Sequence, residues 1–347
     1  MSELKIAIVG AGFAARIVHL PGYAGVRQPV SAICDLDEDR ARALAEQYAI
    51  PNVYTDWQQM LAQERPDVVS VCLPNVLHHK ITVGALEAGA HVLCEKPLAT
   101  SVAEAEEMFA AARKAGRILM AGHHMRFEPS ARVIKRVIDG GALGEIYHVE
   151  ADALRRLGIP TWGLFHQKSA SAGGALFDIG VHMLDQAIWL MGNPRPLRVS
   201  AVTQTRFGHR PEIAAAMRNG WDPEKFDVED SATAFVRFEN GTDLILRTSW
   251  AAHIEKNYFG VRLLGTEGGV TTNPPALYHL RNGVLADEEF RNVRERTNYE
   301  AQIRAFLQAV RGERDPPVKE AETLNVQRIL NAAYRSAEEG REVAVEG

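Results

Sequence analysis

Cysteine is scarce, with three in 347 residues: Cys34, Cys72 and Cys94. Three thiols cannot build a complete disulfide framework. Each lies in or at the end of an apolar run, where a free cysteine behaves as a small hydrophobe. Neither Cys-x-x-Cys nor His-x-x-x-His spacing occurs, and the adjacent pairs His78-His79 and His123-His124 point opposite ways on extended chain. No metal site is expected. Basic runs are missing too. The 39 Lys and Arg against 44 Asp and Glu leave a net charge of −5 without a cationic patch, which argues against a nucleic-acid partner. No apolar run is long enough to span a bilayer, and Leu4–Val9 has neither a basic flank nor a small-residue cleavage site. A cytoplasmic chain without membrane contact is expected.

What is present is an ordinary globular composition, 46% hydrophobic and 24% charged, in a chain too long for one core. Two domains are expected, residues 1–122 and 123–347. Lys5–Gly10 reads as a strand running into Gly10-Ala-Gly12-Phe13-Ala14-Ala15 and a helix-compatible run. This is a G-x-G-x-x-A variant of the dinucleotide fingerprint. The first glycine makes the turn, the second admits a pyrophosphate, and Ala15 lets the helix approach the sheet. The run Val30–Cys34 ends in Asp35, at the spacing of a ribose-binding acid. A carboxylate there accepts from both ribose hydroxyls and repels a 2′-phosphate, so NAD is expected over NADP. Asp35 has a second reading as the N-cap of a helix at Asp37–Tyr48.

Parallel α/β alternation continues with a helix at Trp57–Gln63, a strand at Asp67–Leu73, a helix at Ile81–Ala88 ended by Gly89, and a strand at Val92–Cys94. Ser101–Ala115 follows as a helix with a Ser101/Glu104 capping box, then a strand at Arg117–Ala121. Glu95-Lys96-Pro97 therefore stands at the carboxyl end of a strand, where open α/β sheets hold ligands. Taken alone it is a surface turn with a salt-bridged lysine.

Gly10-x-Gly12-x-x-Ala15, Leu73-Pro74-Asn75-x-x-His78, Ala85-Leu86-x-Ala88-Gly89-x-His91-Val92 and Glu95-Lys96-Pro97 together resemble the Gfo/Idh/MocA oxidoreductases. Leu73 departs from the threonine frequent in that family. The resemblance implies an N-terminal Rossmann domain and a C-terminal α+β domain with a large, mostly antiparallel, open-faced sheet. It implies NAD held by Gly10, Gly12, Phe13, Ala14, Ala15, Asp35, Leu73, Pro74, Asn75, His78, Glu95, Lys96 and Pro97. It also places Lys96 between nicotinamide and substrate.

In the second part, Gly122-His-His-Met-Arg126-Phe-x-Pro129 resembles the segment that opens the family's second domain, with His124 where asparagine is frequent. A helix is expected at Arg132–Ile138, and alternation marks strands at Ile146–Leu154, Arg198–Thr205, Ser231–Glu239, Asp243–Ser249 and Tyr258–Leu264. Turns are expected at Asn240-Gly241 and Gly265–Gly269. The open face of such a sheet needs a cover, and a second copy is expected to supply it in a homodimer or homotetramer.

Asp178 and His182 are four apart and share a face on a helix. As isolated residues they read equally as a cap and a core histidine. The surrounding Gly173-Gly174-x-x-x-Asp178-x-Gly180-x-His182 resembles the family's catalytic segment, which implies a catalytic set of Lys96, Asp178 and His182. Arg126, Arg156 and Trp162 complete the expected substrate contacts. Trp162 reads either as a stacking surface for a sugar or as core packing. Arg206–Phe226 reads as a polar insertion, and Tyr299–Val310 and Glu320–Glu339 as amphipathic helices.

The expected activity is NAD-dependent oxidation of a secondary hydroxyl of a sugar or cyclitol. His182 takes the proton, Lys96 stabilises the alkoxide and Asp178 orients. Substrate is then expected between the domains. An NAD-dependent glycosidase and a non-catalytic sugar or nucleotide sensor are the alternatives.

Overall fold

The protein is described by a computed structural model covering residues 4–217, 220–291, 293 and 297–346. It divides into two units. The first holds the chain up to His124 and also a later segment ending at Thr323. The second holds the chain from Met125 through the last long hairpin and then Leu324 onward.

In the first unit the strands are β1 (Ile6–Val9), β2 (Ala32–Cys34), β3 (Asn52–Tyr54), β4 (Val68–Val71), β5 (His91–Cys94) and β6 (Leu119–Ala121). The helices are α1 (Leu20–Gly25), α2 (Glu38–Tyr48), α3 (Trp57–Glu64), α4 (His78–Glu87) and α5 (Val102–Ala115). All six strands are parallel, in the order β3-β2-β1-β4-β5-β6. Both sheet faces carry helices, so β1 and β4 are buried at every position and read in sequence as apolar runs broken only by Ser70. The strand order reverses between β1 and β4, and a crevice at that switch point is where such sheets bind dinucleotides.

Local signals account for most helix ends. Ser101 Oγ accepts from the Glu104 N–H at 3.2 Å, while the Glu104 carboxylate reaches the N–H of Thr100 rather than that of Ser101. Gly89 and Gly116 take positive φ just past α4 and α5. Two features differ from expectation. β3 was not expected, and the helix after the glycine loop opens with a π-helical turn, Ala15–His19. The helix Asn298–Val310 also packs on α1, where side chains at Gly22 and Gly25 would collide with Ile303 and Glu300. It thus belongs to the first unit, although sequence order groups it with residues 123–347.

The second unit contains α6 (Pro129–Asp139), β7 (Ile146–Leu154), the short α7 (Lys168–Ser171), α8 (Val181–Leu190), β8 (Pro196–Gln204), β9 (Ser231–Phe238), β10 (Asp243–Ser249) and β11 (Tyr258–Gly265). Then come β12 (Gly268–Thr272), β13 (Pro275–Arg281), β14 (Val284–Glu289) and, at the C-terminus, β15 (Val343–Ala344). The sheet order is β14-β13-β12-β11-β7-β10-β9-β8-β15. Pairing is antiparallel except between β7 and β10. Val149, Ala151 and Ala153 of β7 face a core shared with α8. Alternate positions carry ion pairs on the other face: Asp152–Arg247 at 2.6 Å and Glu150–Arg262 at 2.7 Å. β12 to β14 extend the sheet beyond the expected strands. Arg218 and Asn219, within the expected insertion, lie outside the described residues. Among the described residues, no helix is long and apolar enough to cross a membrane.

Candidate active site

In the first unit the glycine loop leaves β1 at the switch point. Gly10 has φ +100°, and a Cβ there would collide with the Cys72 carbonyl, so glycine is required by the fold itself. Gly12 differs, because an added Cβ meets no protein atom within 4 Å. Ala15 is fully buried, and Phe13 is half-exposed on the loop. Asp35 Oδ2 accepts from the Ala11 N–H at 2.6 Å and Oδ1 accepts from the Asp37 N–H at 2.9 Å. Asp37, not Asp35, caps α2, accepting from the Arg40 N–H at 3.1 Å. The cap reading of Asp35 is therefore overturned. Its carboxylate ties the glycine loop to the end of β2. An open glycine, a loop at the switch point and a carboxylate beside it fit a dinucleotide.

The loops after β4 and β5 are joined by His78. This imidazole is fully buried, with Nδ1 2.8 Å from the Pro97 carbonyl and Nε2 2.9 Å from the Leu73 carbonyl. Burial lowers its pKa against the upward pull of those two carbonyls. Expected as a cofactor contact, it is held inside the protein between the Leu73 and Pro97 carbonyls, to one of which its single N–H donates. Lys96 follows β5, half-buried, and its peptide bond to Pro97 is cis.

Behind Lys96 lies an arrangement that the sequence did not suggest. His19, fully buried at the end of the π-helical turn, has Nε2 2.9 Å from Glu95 Oε1. Glu95 Oε2 accepts from the Lys96 N–H at 3.3 Å. Burial raises the Glu95 pKa, but the hydrogen bond and charge of His19 and the charge of Lys96 carry it down to about 2. Gly122 leaves room for this carboxylate, since a Cβ there would stand 3.1 Å from Oε1. Asn298 donates to His124 Nδ1 at 3.1 Å, and burial takes the His124 pKa down to about 4. His124 is thus a neutral imidazole protonated at Nε2.

In the second unit Asp178 lies in a π-helical turn, Leu176–Gly180, that runs directly into α8, with His182 in its first turn. The turn is held by Glu229, whose carboxylate accepts from the Gly174 and Leu176 N–H groups at 2.9 Å and from the Tyr334 hydroxyl at 2.8 Å. Side chains at Gly173 and Gly174 would collide with that hydroxyl and with the Glu229 carbonyl, which explains the glycine pair. Asp178 caps nothing. Its Oδ2 accepts from the indole Nε1 of buried Trp250 at 2.8 Å and lies 3.8 Å from Arg155 Nη1. Asp178 and His182 are each 8% exposed.

Three expected substrate contacts are placed differently from one another. Arg126 is 2% exposed and grips Asp185 through two hydrogen bonds of 2.7 and 2.6 Å, so its guanidinium is engaged inside the second unit. Arg156 is exposed and donates to the Glu255 carbonyl at 3.2 Å, while its neighbour Arg155 is the arginine beside Asp178. Both placements have one cause: sequence shows an arginine but not which carboxylate or carbonyl it meets. Trp162 is 37% exposed, edge-on to Phe165, and is not core packing. Among the described residues no cluster of three or more His, Cys, Asp or Glu has metal-binding geometry.

Residues 4–123 match the family model described as an oxidoreductase family with an NAD-binding Rossmann fold, and residues 135–345 match its C-terminal alpha/beta domain. The chain is 39% identical to D-glucoside 3-dehydrogenase of Escherichia coli K12 over 347 residues, spanning 99% of this chain and 97% of that one. It is 29% identical to levoglucosan dehydrogenase of Pseudarthrobacter phenanthrenivorans over 294 residues, 79% of this chain and 74% of the relative. The crystal structure of aldose-aldose oxidoreductase from Caulobacter crescentus, complexed with glycerol, superposes with a TM-score of 0.82 at 29% identity, covering 99% and 100% of the two chains. With both of its units matched, this chain belongs to the Gfo/Idh/MocA oxidoreductase family and carries its NAD-binding domain.

Proposed function

We propose that the protein is an NAD-dependent dehydrogenase that oxidises a secondary hydroxyl of a pyranose sugar, with a glucoside as its substrate class. The observation that carries this is the Asp178–His182 pair, set on one continuous helical segment with Asp178 oriented by Trp250. Full-length similarity to a D-glucoside 3-dehydrogenase supports the substrate class. When bound, NAD supplies the acceptor for the hydride leaving the carbinol carbon.

The protein's own groups do the rest. His182 accepts the hydroxyl proton, because imidazole exchanges a proton near neutral pH. Asp178, oriented by Trp250, accepts from a neighbouring sugar hydroxyl. The Lys96 ammonium stabilises the alkoxide as it forms. Arg155, in place of Arg126 and Arg156, faces the sugar together with Trp162. Asp35 favours NAD over NADP, and Arg40, the nearest cation, is paired with Asp37 at 2.8 Å. The ion-paired face of the nine-stranded sheet is the surface through which copies associate as a dimer or tetramer, a state that light scattering reads directly.

The test is a panel of methyl glucosides, aldoses, inositols and linear polyols with NAD and with NADP, followed by absorbance of the reduced nicotinamide. Methyl glucoside oxidation with NAD is expected. Lys96→Ala, Asp178→Ala and His182→Ala should lose turnover and keep NADH binding. Wild-type kcat in Lys96→Ala would overturn the assignment.

A further inference from the structure

Residues 227–230 tie three parts of the second unit together. Asp227 holds the loop that carries Trp162: its N–H donates to the His166 carbonyl at 3.1 Å, and its Oδ1 accepts from the Lys168 N–H at 2.5 Å. Glu229 holds the π-helical turn of Asp178 through the Gly174 and Leu176 N–H groups. Asp230 is fully buried and holds the start of the insertion at residues 206–226. Its Oδ2 accepts from the N–H groups of Arg206, Phe207 and Gly208 at 2.8, 2.6 and 2.9 Å. The carbonyl of the same residue accepts from the Trp250 N–H at 2.8 Å, and the Trp250 indole is the donor to Asp178.

Phe226 closes the insertion and joins the same parts through its ring. It is 1% exposed, so no sugar reaches it. The ring is stacked on His166 with centroids 6.4 Å apart and an interplanar angle of 21°. It stands edge-on to Trp250 at 6.3 Å, an arrangement that aromatic pairs favour. Within the insertion it meets Trp221 at 6.0 Å, whose indole N–H donates to the Gly208 carbonyl at 2.7 Å. Position 208 has no room for a side chain, because a Cβ there would lie 2.1 Å from the Phe226 ring. A stretch that is polar in sequence thus ends in a packed aromatic cluster. One side of that cluster is the tryptophan that orients Asp178, and the other is the loop of Trp162. Interiors packed this closely transmit strain.

We propose that Phe226 is a positioning residue, through which the insertion at residues 206–226 sets the Trp162 loop and the Trp250–Asp178 bond and so fixes affinity for the sugar. It touches no substrate atom and acts on the sugar's binding residues from behind. This deepens the dehydrogenase reading and rests on it for the identity of the ligand. Nucleotide binding, a property of the first unit, is independent of it.

The experiment compares wild type with Phe226→Leu, Asp227→Ala, Asp227→Asn and, as a packing control, Phe238→Leu. Phe238 is also buried but lies at the other end of β9, about 25 Å along the strand from Asp230. Hydrogen exchange of residues 155–168 is read by mass spectrometry on the intact chain without ligand, and KM and kcat are read with methyl glucoside and NAD. Expected in Phe226→Leu and Asp227→Ala is faster exchange in that segment, with KM raised roughly three- to tenfold, kcat changed less and NADH affinity unchanged. Asp227→Asn, which retains an acceptor for the Lys168 N–H, should return both readouts toward wild type. Phe238→Leu should lower Tm and move neither. Asp227 is exposed, so its variants report even if Phe226→Leu does not fold. Unchanged exchange, unchanged KM despite faster exchange, or an equal rise of KM in Phe238→Leu each overturn the proposal. A wild-type enzyme that oxidises no sugar of the panel overturns the dehydrogenase reading instead, while exchange still decides whether the insertion holds the loop.

Discussion

Trp250 donates its indole N–H to Asp178 Oδ2 across 2.8 Å, joining the end of β10 to the π-helical turn that carries the candidate acid. Trp250 is itself fully buried and packs edge-on to Phe226, so the bond has little freedom to rearrange. Trp250→Phe keeps most of the packing and removes the donor. A hydrogen bond to a charged group contributes about 1.5–3 kcal/mol, which corresponds to roughly a 10- to 100-fold loss if it acts through orientation. The expected result is a fall of that size in kcat for methyl glucoside, with NADH affinity unchanged. Equal kcat in the variant would show that Asp178 needs no such support.

Gly10 and Gly12 separate what the fold needs from what the cofactor needs. Gly10→Ala meets the Cys72 carbonyl and a φ of +100°, so it should lower Tm, and NAD binding should fall with it. Gly12→Ala meets no protein atom and should leave Tm unchanged. Its methyl group would instead occupy space that a pyrophosphate needs, so NADH binding should weaken at least tenfold. Fluorescence titration and calorimetry on both variants check this. Tight NADH binding by Gly12→Ala would place the cofactor elsewhere.

Much of this was legible in the chain because the informative residues were local. β1 and β4 are apolar at every position but Ser70, the glycine loop follows its strand directly, and Asp178 and His182 lie within one short segment. What was hidden depends on distance or on backbone detail. His19 meets Glu95 across 76 residues and Trp250 meets Asp178 across 72. The signal for His19 was a histidine inside the apolar run Ile17–Leu20; Trp250 carried none. Both π-helical turns insert a residue that 3.6-residue spacing does not reveal. β3 is three half-buried residues with no apolar run to announce them. The arginines show the same limit, since burial chose Arg126 for Asp185 and left Arg155 beside Asp178.

The Arg126–Asp185 pair makes its own prediction. Both side chains are almost wholly buried, so removing one leaves an uncompensated charge. Arg126→Met or Asp185→Leu alone should cost about 3–5 kcal/mol of stability. The double variant should cost much less than the sum, because two apolar side chains replace two charges. Urea unfolding of the three variants measures the coupling. Additive losses would mean that the pair contributes as separate side chains.

His124 predicts how stability responds to acid. Its pKa is lowered by burial from 6.5 to about 4, so between those values the unfolded chain binds a proton that the folded chain does not. Stability from this residue is therefore fully present above 6.5 and declines as pH falls toward 4, by at most about 1.4 kcal/mol per pH unit. Glu95 has the same sign at lower pH: its pKa falls from 4.5 to about 2, so its stabilisation is lost only below 4.5. Unfolding measured from pH 7 to pH 5 covers the histidine window, in which Glu128 and Glu229, raised by burial, give slopes of the opposite sign that are common to wild type and variant. His78, His91 and His166 are also lowered and contribute slopes of the same sign. His124→Asn should remove one site's share, leaving a shallower decline than wild type over that range. A variant as acid-sensitive as wild type would mean that His124 takes up its proton in the folded protein as readily as in the unfolded chain.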